Sequence, residues 1–302
     1  MPVLSGLSAF PITPTDDSGN LITADFNNLL DSLAEARSGD ASLDSVCLLG
    51  STGTYAYQSL DHRKQVTEAG IAAIAGRLPT IIGIGTLRTD DAQHLALHAA
   101  RTGAAGLLMA PFSYMPLTDE EVFQHYAAVS ATTDLPLCIY NNPSTTHFTF
   151  STELLQRLAQ LPTIQAVKMP LPANGDFEGQ IPQLRAALPD DFLIGYSGDW
   201  QCPDALLAGA DGWFSVIAGL LPVPTLKLSQ AARNGDHAEA ARLQEAFEPL
   251  WELFRDYGSL RVVYAAAAIM SLTDAQPPRP ILPMPDNQTH RLRDALDAVN
   301  QL

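Results

Sequence analysis

The chain contains three lysines, and only one of them sits where a charge is costly. Lys64 belongs to the charged run Asp61–His62–Arg63–Lys64, and Lys227 lies in the C-terminal third; both read as solvated. Lys168 instead ends the run Ile164–Gln165–Ala166–Val167, which has the composition of a strand covered on both faces. An ammonium buried there without a partner is unfavourable, and desolvation favours the neutral amine. A neutral amine attacks carbonyl carbon, so Lys168 is a candidate for Schiff-base chemistry. The competing reading is a strand-end lysine whose ammonium reaches solvent.

Two neighbouring segments bear on that choice. The apolar run 135–140 ends in Tyr140–Asn141–Asn142–Pro143, so Tyr140 and Lys168 fall at matching ends of adjacent strands in a parallel sheet. A phenol beside a forming imine can carry protons; the alternative is a core tyrosine with a satisfied hydroxyl. An earlier run ends in Gly50–Ser51–Thr52–Gly53–Thr54. Its two glycines permit a tight turn, whose N–H groups and hydroxyls can cradle a carboxylate.

Other chemistry-bearing residues are weaker. His94 and His98 stand four apart on a helix but lack a third ligand, so they read as a solvated face and no metal site is expected. His147 follows the tyrosine motif and is a candidate substrate contact. Gly209–Ala210–Asp211–Gly212 has the look of a phosphate loop, but also of ordinary turn chemistry. Cys47, Cys138 and Cys202 are far apart with no C-x-x-C pair, and read as buried small side chains in a reducing compartment.

The elements that must position these residues follow from pattern. Short β-rich apolar runs occur at 4–10, 45–50, 80–85, 106–111, 135–140, 164–169, 191–198 and 212–217. Between them lie helical patterns at 24–37, 60–77 and 90–103. Thr118 with Glu121 forms a capping-box signature, and Ser151 heads a further helix. Gly103 and Gly209 fall just past helix ends. Eight alternating units predict a closed (β/α)₈ TIM barrel. A doubly wound sheet is second, since no G-x-G-x-x-G follows the first run. Past residue 224 the strand signal stops, and 225–235, 237–257, 259–272 and 289–301 read as helices. The expected division is a catalytic barrel over 1–224 and a C-terminal helical extension over 225–302.

Composition excludes some functions. The net charge is −16 with no basic run, so nucleic acid and anionic membrane surfaces are not expected partners. No run approaches the ~18 apolar residues of a membrane span, and no basic-plus-apolar leader opens the chain, so the expected location is cytoplasmic.

Together, the stretches AFPITP, GSTGT, YNNPSTT, the strand lysine 28 residues after Tyr140, and GYSGD resemble the dihydrodipicolinate synthase/N-acetylneuraminate lyase family, over nearly the whole chain. The resemblance implies that Lys168 attacks the keto carbon of pyruvate or a related 2-oxo acid. Ser51 and Thr52, between Gly50 and Gly53, would hold the carboxylate, and Tyr140 would move protons in contact with the Ser51 or Thr52 hydroxyl. Gly198 and Phe214 would line the pocket. The enamine would then add to an aldehyde or arise by cleaving one. No organic cofactor or metal is required, and a homotetramer built from tight dimers is implied.

The departures from the family pattern are specific. Dihydrodipicolinate synthases carry an arginine at the position of Thr145, for the second substrate's carboxylate. Their relay tyrosine falls at Ser113, with Tyr114 one step late, and their usual glutamate falls at Thr54. Met169–Pro170–Leu171–Pro172 is an unusual sequence after the lysine. The expected function is a Schiff-base lyase or aldolase acting on pyruvate or a related 2-oxo acid and an aldehyde, in the cleavage or condensation of a 2-keto-3-deoxy sugar acid or similar compound. The alternatives are a 4-hydroxy-tetrahydrodipicolinate synthase in the strict sense, a metal-dependent aldolase or hydrolase on the same barrel, and a non-catalytic paralogue that binds a 2-oxo acid.

Overall fold

The computed structural model describes residues 2–302. Eight strands form a closed parallel barrel in sequence order: β1 (Gly6–Ala9), β2 (Ser45–Leu48), β3 (Thr80–Gly83), β4 (Gly106–Met109), β5 (Leu137–Tyr140), β6 (Ile164–Met169), β7 (Leu193–Tyr196) and β8 (Gly212–Ser215). The barrel closes where Ser8 of β1 pairs with Phe214 of β8. Each strand falls within one of the eight apolar runs, because its residues are covered on both sides. Side-chain alternation divides them. Phe10, just past β1, with Cys47, Ile81, Leu108, Cys138, Tyr140, Ala166 and Phe214, forms the barrel interior. Val46, Leu48, Ile139 and Val167 pack outward against the helices. Lys168 has the parity of Ala166, so it projects into the lumen at the C-terminal end of β6.

The outer layer is α1 (Thr23–Glu35), α2 (Leu60–Ile74), α3 (Thr89–Thr102), α4 (Asp119–Ser130), the single turn α5 (Pro143–Thr146), α6 (Thr152–Leu158), α7 (Phe177–Ala187), α8 (Cys202–Leu207) and α9 (Pro222–Arg233). The capping box at α4 is formed: Glu121 N–H donates to Thr118 Oγ1 (3.3 Å) while Thr118 N–H donates to Glu121 Oε2 (2.7 Å). Ser151 Oγ accepts from Leu154 N–H (3.1 Å) and caps α6. The expected boundary at residue 224 falls inside α9, which packs on β1 and α8 as the barrel's last helix. Its start precedes the predicted 225 because Pro222 occupies the first helical position, where a missing N–H costs nothing.

Beyond it stand α10 (His237–Tyr257), α11 (Ser259–Ile269) and α12 (Thr289–Asn300). Helix α10 packs on both α9 and α12, and Phe247 stacks on Trp251 within it at 5.0 Å. The Pro-rich stretch between α11 and α12 runs back over the barrel mouth, where Ile281 meets the cavity described next. Among the described residues, no helix is long and apolar enough to cross a membrane.

Candidate active site

The C-terminal ends of the strands surround a cavity of about 640 Å³. Lys168 lies at its base and is 3% exposed. Its Nζ sits 4.0 Å from the ring centroid of Phe10, 4.2 Å from that of Tyr140 and 5.8 Å from that of Phe214. Rings rather than carboxylates therefore surround the amine. They exclude water on one side and leave the other open to the cavity. The other two lysines are placed differently: Lys64 Nζ is 3.6 Å from Asp61, and Lys227 Nζ donates to the carbonyl of Leu302.

Tyr140 pairs with Lys168 in the parallel ladder. Its hydroxyl accepts from Asn142 Nδ2 (2.8 Å) and lies 3.3 Å from Ser51 Oγ. Asn142 is itself oriented by Ser144, whose hydroxyl donates to Asn142 Oδ1 (2.7 Å). The phenol is thus held at the edge of the cavity with one fixed donor and one hydroxyl partner. Of the two hydroxyls considered for that contact, it is Ser51 that meets Tyr140. Thr52 is buried and lines the cavity beside it.

The turn that carries Ser51 is not built as the glycines alone suggest. The left-handed residues are Leu49 (φ 57°) and Thr54 (φ 57°). Gly50 is required by close approach instead, since a Cβ there would meet Phe10 Cδ1 at 2.6 Å. Gly53 is buried behind the turn, which Thr54 N–H closes onto Ser51 O (3.1 Å). Arg63, next to Lys64 in the charged run, is buried. Its two Nη groups donate to the carbonyls of Gly83 and Gly85 (2.9 Å each), and it lies over the ring of Tyr55 at 5.3 Å. Burial pulls its guanidinium down to about 10. Backbone carbonyls at a strand end can satisfy a guanidinium, a possibility that charge pattern does not reveal.

The remaining expected site residues separate into two groups. Thr145 lines the cavity mouth, and Gly198 lines it beside Leu171. Phe214 lies beneath Lys168. Ser113, Tyr114 and His147 do not line the cavity. Tyr114 is 90% exposed, and His147 is exposed in a left-handed conformation (φ 56°) at the end of α5. Among the described residues, no three His, Cys, Asp or Glu side chains converge as a metal site. The three cysteines are buried and unpaired, with burial pushing the Cys47 thiol up to about 12.

Asp199 completes the floor. Its carboxylate accepts from Trp213 Nε1 (2.8 Å), Ile217 N–H (2.8 Å) and Val216 N–H (3.3 Å), fastening the end of β7 to the end of β8. Burial raises its carboxyl, and these donors oppose that shift.

This placement has counterparts. The sequence model of the Dihydrodipicolinate synthetase family matches residues 3–299. The chain belongs to that family. It is 33% identical to the 4-hydroxy-tetrahydrodipicolinate synthase of Alcanivorax borkumensis, over 83% of this chain and 84% of the relative. It is also similar to the solved dihydrodipicolinate synthase of Agrobacterium tumefaciens, with 53% identity, a TM-score of 0.94 and 98% of each chain covered. A pyruvate complex of the dihydrodipicolinate synthase from Acinetobacter baumannii is 25% identical, with a TM-score of 0.87, over 99% of this chain and all of the other. As a member of the dihydrodipicolinate synthetase family, the protein is a lyase on a (β/α)₈ barrel with a C-terminal helical extension.

Sequence reasoning missed several cavity residues of this family member. Asn142 lies in the quoted tyrosine motif but was assigned no contact. Tyr55 and Tyr57 follow the Gly50–Thr54 turn and line one wall. Phe254 and Leu260 come from α10 and α11, and no local signal links them to a barrel mouth.

Proposed function

We propose that the protein joins pyruvate or a related 2-oxo acid to an uncharged aldehyde, or cleaves the product, through a Schiff base on Lys168. The observation that carries this reading is the register pairing of Lys168 with Tyr140, whose hydroxyl contacts Ser51. Lys168 Nζ attacks the keto carbon to give a carbinolamine, which loses water to form an iminium. Loss of a proton from the adjacent carbon gives an enamine, and the enamine carbon bonds to the aldehyde carbon. The aldehyde oxygen takes up a proton, and water then hydrolyses the iminium to free the lysine and a 4-hydroxy-2-oxo acid. Tyr140 carries protons in the carbinolamine steps. Backbone N–H groups of Ser51 and Thr52 hold the carboxylate, between Gly50 and Gly53. Gly198 and Phe214 shape the space around the imine.

The absence of a fixed cation supports an uncharged second substrate. Thr145 stands at the cavity mouth, and among the described residues that line the cavity Lys168 is the only Lys or Arg. The names of the relatives favour a second reading, condensation with aspartate semialdehyde as in a 4-hydroxy-tetrahydrodipicolinate synthase. An oligomer, with a homotetramer as the specific proposal, fits the exposed apolar side chains Leu87, Tyr114 and Met115. In such an assembly Ser113, Tyr114 and His147 would act at subunit contacts. Borohydride reduction in the presence of pyruvate tests the central reading. One reduced pyruvate per chain is expected, and no covalent adduct would return the protein to a non-catalytic binder.

A further inference from the structure

The cavity has two chemically different halves. Polar groups gather near Lys168, where Ser51, Tyr140 and Asn142 form one connected set. The outer half is walled by Leu171, Trp200, Val216, Phe254, Leu260 and Ile281. Leu171 is central to it. Gly198 has φ +110°, and a Cβ built there would lie 2.6 Å from both Leu171 Cγ and Cδ1. The leucine therefore rests directly on the Gly198 backbone, three residues after the nucleophile.

Several of the hydroxyls that line the cavity already donate to protein oxygens. Ser144 donates to Asn142 Oδ1, Thr145 Oγ1 to Asn142 O (3.3 Å), and Ser197 Oγ to Met169 O (3.4 Å). Among the described residues Asp199 is the only lining acid, and its oxygens are occupied by three donors. A polyhydroxylated chain laid against these walls would give up water hydrogen bonds without replacements, which is unfavourable. An apolar body would bury surface there at a gain.

We infer that the outer half of the site takes an aldehyde with an apolar body of aromatic-ring size, and that Leu171 and Ile281 set this preference. The inference rests on the Schiff-base reading above and narrows its second substrate. The product is a 4-hydroxy-2-oxo acid with the ring on C4: one C–C bond forms, and the aldehyde oxygen gains a proton.

The test compares benzaldehyde, D-glyceraldehyde and aspartate semialdehyde, each with pyruvate, by initial rate of pyruvate loss and by product mass. Pyruvate–borohydride trapping on the same enzyme is run in parallel. Benzaldehyde is expected to exceed glyceraldehyde by at least about tenfold in kcat/KM, the scale on which apolar pockets discriminate. Leu171→Ser and, separately, Ile281→Ser should each shrink that ratio about tenfold; a ratio is read because general losses cancel in it. Trapping with glyceraldehyde equal or preferred overturns the inference and leaves the Schiff-base reading in place. A preference unmoved in both variants overturns the assignment of Leu171 and Ile281. No trapping overturns the underlying reading, and the inference falls with it.

Discussion

Tyr140 and Lys168 are register partners at the ends of β5 and β6, with Nζ 4.2 Å from the phenol ring's centroid. Their alignment is set by ladder hydrogen bonds, one of which continues past the strands from Asn141 N–H to Lys168 O (3.0 Å). A one-residue slip would turn the lysine outward into the helix layer, so its position in the lumen is tied to the register of the barrel.

Labelling should be confined to this lysine. After pyruvate and borohydride, peptide mapping should place the added mass on Lys168, and Lys168→Ala should abolish it. Lys168→Arg should do the same, because a guanidinium stays protonated. Adduct on Lys64 or Lys227 would assign the nucleophile wrongly.

The phenol should matter more than its supports. Tyr140→Phe keeps the ring and should slow turnover by about 10²–10⁴-fold. Asn142→Ala removes one donor to the phenol and should cost about 1 kcal/mol, roughly fivefold in kcat. Near-normal turnover in Tyr140→Phe would leave the residue as a wall of the pocket and nothing more.

The second substrate's charge can be decided at one position. Losing a charge-assisted pair costs about 2–5 kcal/mol of binding, so aspartate semialdehyde should be a poor partner compared with uncharged aldehydes. Thr145→Arg should raise its specificity constant by at least tenfold. A wild-type enzyme that prefers aspartate semialdehyde by a wide margin would make it a 4-hydroxy-tetrahydrodipicolinate synthase in the strict sense.

A pH dependence of stability follows from His125. Its Nδ1 lies 2.9 Å from Thr89 Oγ1 between α3 and α4, and burial lowers its affinity for a proton. Below the ordinary value of about 6.5, the unfolded chain takes up a proton that the folded chain does not. Stability should therefore fall as pH drops through about 6.5 toward the lowered folded value. Urea titrations at pH 7.5 and 5.5 measure this, and His125→Asn should flatten the difference. An equal slope in both proteins would place its origin elsewhere.

The strands were legible because each is a short apolar run covered on both faces, and the capping residues because their partners are three positions away. Lys168 stood out as the one lysine in such a run. Helices α5, α7 and α8 were not named from sequence. One is a single turn after Pro143, one carries Pro182 within it, and one has only six residues, so none develops a clear period. Thr145 reached the cavity mouth. Tyr114 and His147 did not, because adjacency to a motif fixes neither the side of a loop nor the direction of a side chain. The buried Arg63 was hidden by charged neighbours, since its acceptors are the carbonyls of another strand's end.

Phe254, Leu260 and Ile281 enter the cavity from a stretch of chain that contributes no barrel strand. Part of the cavity wall is therefore encoded far from Lys168, while Leu171 and Thr145 lie close to it or to Tyr140 in the chain. Mutational drift in the last third of the gene can alter which second molecule is accepted while every strand pairing stays intact.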